Sequence, residues 1–142
     1  MDPNCAYCGN DDVLQNFGYP IGELEHALLY LFKEQTYHGR VIVATKTHVS
    51  EITELSDADR DGFFADMSRV AKALHALYQP TKINYAAFGD TGKHCHFHLV
   101  PKYEGGEDFG GMFVMNSGKK ILSETELQAR AAEILEAVKQ VK

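Results

Sequence analysis

The segment His94–Pro101 constrains the fold of this chain more than any other, because histidines alternate in it with other residues. A period of two is typical of a β-strand, in which successive side chains point to opposite faces. The histidines then share one face and the intervening residues the other: His94, His96 and His98 against Cys95, Phe97 and Leu99. If the face with Phe97 packs on a core, a row of imidazoles remains, with neighbours about 6.5–7 Å apart at about 3.3 Å of rise per residue.

Imidazoles this close together are suited to several kinds of chemistry. They can bind a metal ion, transfer protons near neutral pH, or attack phosphorus when they are neutral. The structural alternative is that they are three polar groups on a solvated strand face. Three of the seven histidines fall within five residues, a pattern rare enough by chance to favour a functional site.

The cysteines add a second motif, the C-x-x-C formed by Cys5 and Cys8. With Cys95 the total is three, and an odd number without an apparent export signal argues against a disulfide framework. A C-x-x-C is typical of a redox pair or of half a zinc site. The redox pair needs a helix after the second cysteine, whereas residues 9–12 have the composition of a loop. Half a zinc site completed by histidines is therefore favoured, and a chance pair of cysteines is the remaining alternative.

Composition limits the class of protein. The 142 residues, of which 44% are apolar and 24% charged, suit one soluble globular domain spanning 1–142. The longest uninterrupted apolar run, residues 27–32, is too short to span a bilayer. A net charge of −6 gives no general attraction to nucleic acid or anionic lipid. We expect a cytoplasmic protein with neither a polynucleotide nor a membrane as partner.

The remaining patterns predict an α+β fold. Ser56 is a candidate N-cap for a helix of about twenty residues that ends before Pro80, and Ser123 with Glu126 forms a capping box for a C-terminal helix. Residues 24–32 favour a strand over a helix, and residues 40–44 pair back on them as a hairpin. Further strands are predicted at 82–88 and 94–101.

The segment from His94 to Pro101, read His-Cys-His-Phe-His-Leu-Val-Pro, resembles the signature of the histidine triad (HIT) family, His-φ-His-φ-His-φ-φ with φ apolar. Residues 34–39, 45–49, 55–56 and 84–89 are similar to further blocks of short bacterial members, in the same order. The resemblance implies a HIT-like fold, which is an antiparallel sheet with one long helix packed on it and a C-terminal helix. It also implies a homodimer.

This resemblance implies a nucleotide as the small-molecule partner and chemistry at its α-phosphorus. The middle histidine attacks and gives a nucleotidyl-histidine, which water or another acceptor resolves, as in a diadenosine polyphosphate-type hydrolase. By position, His96 is the nucleophile and His98 the flanking imidazole that contacts phosphate. A neutral attacker with N–H groups nearby suits a phosphorus surrounded by negative oxygens.

Three further residues are candidate substrate ligands. Thr91 matches a family Ser/Thr three residues before the first histidine, in a loop whose backbone N–H groups can cradle phosphate. The structural alternative is that Thr91 only closes a turn. Arg40 stands where many members have another histidine; its permanent charge can contact phosphate but cannot shuttle protons. Glu34 is the nearest candidate for the family's ribose ligand, with a solvated charge as the alternative. The loop 89–92 is shorter than in members with a Gly-Gln-Ser/Thr segment.

The resemblance also implies a zinc site. Members with an N-terminal C-x-x-C hold zinc with both cysteines, a histidine after the second hairpin strand and the first triad histidine. The corresponding residues are Cys5, Cys8, His48 and His94. Two cysteines and two histidines form a closed tetrahedral set, so the zinc is expected to be structural and not catalytic.

Two other functions stay open at this point. In a metal hydrolase the three triad histidines would jointly bind a catalytic ion, but the C-x-x-C would then have no role. In a non-enzymatic, zinc-stapled nucleotide-binding module the triad would bind without turnover, and Arg40 in place of a histidine keeps that possibility open.

Overall fold

One antiparallel sheet forms the centre of the protein in the computed structural model, which describes residues 3–141. Within that range its strands follow the order β1-β2-β3-β5-β4, so β5 lies between β3 and the edge strand β4. The strand bounds are Gly18–Glu23 (β1), Ala27–Phe32 (β2), Val41–Thr45 (β3), Lys82–Ala86 (β4) and His96–Lys102 (β5). The predicted α+β class and the hairpin of β2 with β3 are confirmed.

The two long helices begin where the sequence predicts them. The helices of the described residues are Asp11–Leu14 (α1), Asp57–Tyr78 (α2) and Glu124–Gln140 (α3), with short 3₁₀ turns at Ala6–Cys8 and Ile52–Glu54. The Ser56 hydroxyl accepts a hydrogen bond from the Asp59 N–H, and Ser123 with Glu126 forms the predicted reciprocal capping box. No helix in residues 3–141 combines the length and the apolarity needed to cross a membrane.

The two long helices cover one face of the sheet and build the main core there. This core combines alternate residues of the strands with the apolar stripes of both helices, including Leu29, Leu31, Val41, Val43, Leu99, Phe63, Val70, Leu74, Leu127 and Ile134. The opposite face is covered by the N-terminal segment, in a smaller cluster of Ala6, Tyr7, Leu14, Tyr30, Phe32, Ile42 and Ala44. Because both faces of β3 are covered, all five of its residues are buried.

Three features differ from the sequence-based expectation. Strand β1 is an additional strand, which contains Pro20 and has an irregular register beside it; proline is tolerated there because β1 is an edge strand. Residues 11–14 form a single helical turn and not a loop, since the Asn10 side chain accepts a hydrogen bond from the Val13 N–H. Strand β5 begins at His96, so His94 lies just before it.

Candidate active site and metal centre

Strand β5 places two of the triad histidines on the face of the sheet opposite the long helices. The rings of His96 and His98 have centroids 5.5 Å apart, while Phe97 and Leu99 pack into the core on the other face. Across the ladder, His96 pairs with Ala44 and His98 with Ile42. The predicted alternation of faces is therefore observed for residues 96–99.

His96 has one ring nitrogen engaged by its own strand. Its Nδ1 lies 2.6 Å from the backbone oxygen of His94. A carbonyl oxygen only accepts, so Nδ1 carries the proton and Nε2 keeps an unprotonated lone pair. Burial lowers the pKa of His96, which favours the neutral ring. This is the state of an imidazole that can attack an electrophile.

His98 has the opposite arrangement. Its Nδ1 lies 3.1 Å from Nη2 of Arg40, and a guanidinium only donates, so Nδ1 is the acceptor and the proton is on Nε2. Burial and the positive charge of Arg40 lower the pKa of His98 to about 3. His98 is therefore a neutral hydrogen-bond donor beside the neutral imidazole of His96.

A cavity of about 630 Å³ opens on these two imidazoles. Its apolar lining comprises Val13, Phe17, Phe32, Ile42 and Phe88. The loop with Thr91 and Lys93 also lines it, as do residues 4–7, His48, His94, Met115 and Asn116. No carboxylate lines the cavity within the described part of the chain. Such a cavity suits an anion attached to a flat apolar group.

The loop before β5 approaches His96 closely. A Cβ added to Gly92 would lie 3.7 Å from Cε1 of His96, and Gly89 adopts a positive φ of 119° that favours glycine. Thr91 and Lys93 stand in this loop and line the cavity. The structure therefore brings Thr91 together with His96 and His98, as the sequence predicts.

Arg40 and Glu34 are not among the cavity-lining residues. Arg40 is only 1% exposed and lies behind His98, because its guanidinium stacks on Phe32 at 3.8 Å. The carboxylate of Glu34 accepts hydrogen bonds from the N–H and hydroxyl of Thr36 and from the hydroxyl of Ser117. Glu34 thereby anchors the segment that carries Met115 and Asn116, and the expected direct contacts with phosphate and ribose are not supported by these positions.

The four predicted zinc ligands converge at the edge of the same cavity. The donor atoms of Cys5, Cys8, His48 and His94 all lie within 4.8 Å of one another. The Sγ of Cys8 lies 3.1 Å from Nδ1 of His48 and 3.5 Å from Nδ1 of His94, and the two Nδ1 atoms are 3.1 Å apart. Tetrahedral zinc with bonds of about 2.0–2.3 Å sets its donor atoms about 3.3–3.7 Å apart. The side chains present therefore fit zinc.

The surroundings of His94 support this assignment. Its Nε2 lies 2.6 Å from the backbone oxygen of Thr45, so Nε2 carries the proton and Nδ1 is left for a metal. His96 and His98 do not belong to this ligand group. The first triad histidine therefore faces the cysteines, which does not support a catalytic metal held by all three histidines.

Tyr7 is a site residue that the sequence patterns do not single out. It lies between the two cysteines, and its buried ring has its centroid 5.1 Å from the His96 ring and 5.4 Å from the His94 ring. Its position between the two cysteines of the C-x-x-C motif is the signal that could have identified it. No comparable signal marks Met115 and Asn116, which both line the cavity; Met115 is bound there by Arg40, which is 75 residues away in sequence.

Comparisons with known proteins agree with this geometry. A family model described as the HIT domain matches residues 17–105. An uncharacterized HIT-like protein of Mycoplasma genitalium is 30% identical over 114 residues, which cover 75% of this chain and 79% of that protein. A histidine triad (HIT) protein of Sinorhizobium meliloti has a TM-score of 0.80 at 27% identity, covering 89% of this chain and 94% of that one. A zinc-bound histidine triad family protein of Mycobacterium smegmatis has a TM-score of 0.64 at 20% identity, and the match covers 96% of this chain and 94% of that protein.

Proposed function

This chain belongs to the HIT family, and we propose that it is a nucleotide hydrolase or nucleotidyltransferase that attacks an α-phosphorus with His96. The observation that carries the proposal is the pair of opposite hydrogen-bond arrangements that two imidazoles have at one cavity, because each arrangement selects a different tautomer. His96 keeps a lone pair on Nε2, while His98 keeps a proton on Nε2. A nucleophile and a hydrogen-bond donor thus stand side by side, which is the combination that attack on a phosphate requires.

The proposed reaction has two steps. Nε2 of His96 forms a bond to the α-phosphorus while the bond from phosphorus to the leaving oxygen or nitrogen breaks. The positive charge that develops on His96 is stabilised by the His94 carbonyl, which accepts the hydrogen bond from Nδ1. Water or another acceptor then attacks the phosphorus and releases its proton to solvent, the P–N bond breaks, and His96 regains its lone pair.

The rest of the cavity is proposed to bind the nucleotide. His98, the backbone N–H groups around Thr91 and the ammonium of Lys93 would face the phosphates. The apolar wall with Phe17, Phe32 and Ile42 would receive the base. Cys5, Cys8, His48 and His94 would hold a structural zinc, whose chemistry is to fix the N-terminal segment beside β5.

The proposal extends to the state of the protein in the cell. We propose one HIT domain over residues 1–142, a cytoplasmic location and a homodimer, as the family resemblance implies. Exposed aromatic side chains near the edge strand β4, Tyr85 at 51% and Phe88 at 54%, support an interface on that side.

Trapping the covalent intermediate tests the proposed function. The zinc-loaded protein is mixed with a panel of dinucleoside polyphosphates, nucleoside phosphoramidates and nucleotidyl esters, quenched rapidly and analysed by mass spectrometry. We expect a nucleotidyl adduct on the peptide with residues 94–98, located on His96. Tight nucleotide binding with no adduct and no turnover across the panel would instead indicate the non-enzymatic binding module.

Ribonucleotide and 2′-deoxyribonucleotide substrates are expected to react with similar efficiency. Selection between them by thousands-fold requires polar groups that are left strongly unpaired when the hydroxyl is missing. The described lining contains no carboxylate, and a hydrogen bond from one of its neutral amides, Asn4 or Asn116, is worth only about 0.5–1.5 kcal/mol. We expect kcat/KM values within about tenfold for matched pairs, measured by initial rates. A thousandfold preference for the ribonucleotide would contradict this prediction and would indicate that a protein group binds the 2′-hydroxyl in the complex.

A further inference from the structure

Arg40 is a buried cation with an unusual set of partners. It is 1% exposed, and its Nη1 donates to the backbone oxygen of Met115 at 2.9 Å. Its Nη2 lies 3.1 Å from Nδ1 of His98 and 3.1 Å from the sulfur of Met115. Its Nε is buried without a hydrogen-bond partner. The guanidinium therefore connects the segment that closes the cavity to the imidazole beside the nucleophile.

No carboxylate forms a salt bridge with this guanidinium in the described part of the chain. Glu34 is the nearby anion, but its oxygens are engaged by Thr36 and Ser117. Burial lowers the pKa of Arg40 to about 10, so it remains charged at neutral pH. An unpaired buried charge costs free energy, which an anion in the neighbouring cavity would offset.

We propose that Arg40 is a positioning residue that holds His98 as a neutral hydrogen-bond donor, and that the enzyme is thereby specialised for phosphoanhydrides over phosphoramidates. This inference rests on the proposed function. A guanidinium cannot accept a proton from His98 Nδ1, so the ring stays in the Nε2–H form and does not exist as an imidazolium near neutral pH. His98 then stabilises phosphate charge without supplying a proton to the leaving group.

The consequence for substrates follows from the leaving groups. When a phosphoanhydride is cleaved, the P–O bond breaks and the departing phosphate takes the electron pair as a stable anion, without needing a proton. When a phosphoramidate is cleaved, the P–N bond breaks and the departing amine must gain a proton as it leaves. Proton transfer from a positioned acid contributes about 10²–10⁴-fold to such steps. An enzyme whose flanking imidazole cannot act as an acid is therefore poor at the second reaction.

The tautomer of His98 can be measured without turnover. In ¹⁵N-edited NMR spectra of the zinc-loaded protein, with the His98 signals assigned by His98→Asn, we expect one neutral ring protonated on Nε2. Arg40→Met removes the charge and the donor, so the His98 signals are expected to show both tautomers. Lys102→Met is the matched control, since Lys102 is also buried and anchors the same segment through Asp108 and Gly111 but makes no contact with His98.

The kinetic arm compares a dinucleoside polyphosphate with a nucleoside phosphoramidate of an alkylamine. The wild-type kcat/KM is expected to favour the anhydride by about a hundredfold or more, and Arg40→His, which restores an imidazole, is expected to narrow this ratio at least about tenfold. Zinc content and thermal unfolding show whether each variant is folded. If Arg40→His does not fold, the proposal is decided by the ratio of the wild-type kcat/KM values for the two substrates and by the NMR spectra. Equal or faster cleavage of the phosphoramidate by wild type, or His98 signals that are identical in wild type and Arg40→Met, overturns the proposal. A protein with no adduct on His96 and no turnover but with the expected His98 tautomer would refute the proposed function, and with it the substrate preference, while the positioning of His98 by Arg40 would stand.

Discussion

Replacing His96 with Asn is expected to abolish turnover, with kcat falling by about 10⁴-fold or more. The Asn side chain can still donate a hydrogen bond toward the His94 carbonyl, which His96 Nδ1 does at 2.6 Å, but it has no nitrogen lone pair to attack phosphorus. The packing and the ligands of the metal centre are unchanged by this substitution. Zinc content by mass spectrometry and thermal unfolding should therefore match those of wild type while initial rates vanish.

The control is His75→Asn, because His75 is an exposed histidine on α2 on the opposite side of the sheet. It should keep wild-type rates. The His96→Asn variant should still bind a substrate nucleotide with a Kd within a few fold of wild type, measured by calorimetry, since the other cavity walls are intact. A His96→Asn enzyme that retains more than a tenth of wild-type kcat would exclude the covalent mechanism.

Features with local physical causes could be predicted from the sequence. Ser123 and Glu126 satisfy the free N–H groups of a helix start with their own side chains, and the capping box forms as expected. The alternation at residues 96–99 is likewise a property of any strand that is covered on one face by helices. The placement of both catalytic candidates on one face needed no information from distant parts of the chain.

Features decided by long-range contacts could not be predicted in the same way. His94 leaves the histidine row because Thr45 and the cysteines engage its ring, and these partners are 49 to 89 residues away in sequence. Arg40 is buried behind His98 through a contact with Met115, which is 75 residues further along the chain. A charged residue next to a turn glycine gives no local indication of such burial, so the sequence supported only a direct phosphate contact.

Strand β1 is also a feature that local sequence preferences could not predict. Pro20 and the flanking glycines Gly18 and Gly22 are depleted in strands in general, and only the position at a sheet edge makes them acceptable. That position depends on the antiparallel pairing with β2, which uses one hydrogen-bonding edge of β1 and leaves its other edge at the end of the sheet. Local propensity and tertiary position therefore disagree here, and tertiary position decides the structure.

The second large expected effect concerns the metal centre. Cys8→Ser should lose zinc and lower the free energy of unfolding by about 3–5 kcal/mol, because structural zinc contributes directly to folding and this site ties the N-terminal segment to β5. For a chain of this size the midpoint of thermal unfolding should fall by about 10 °C or more. Treatment of wild type with a chelator should produce the same shift, and Cys95→Ala, a buried thiol outside the ligand set, should keep one zinc per chain.

Loss of zinc should also slow turnover, although the metal is not expected to touch the substrate. Tyr7 lies between the two cysteines in sequence, and its ring packs against the His96 ring with the centroids 5.1 Å apart, so release of the cysteines from the metal should loosen the packing of His96 and part of the cavity lining. A slow, parallel loss of activity and of folded protein on chelation indicates this structural role. Immediate loss of activity in a protein that keeps its thermal midpoint would instead indicate a catalytic metal, and Cys8→Ser with full zinc content would exclude the proposed ligand set.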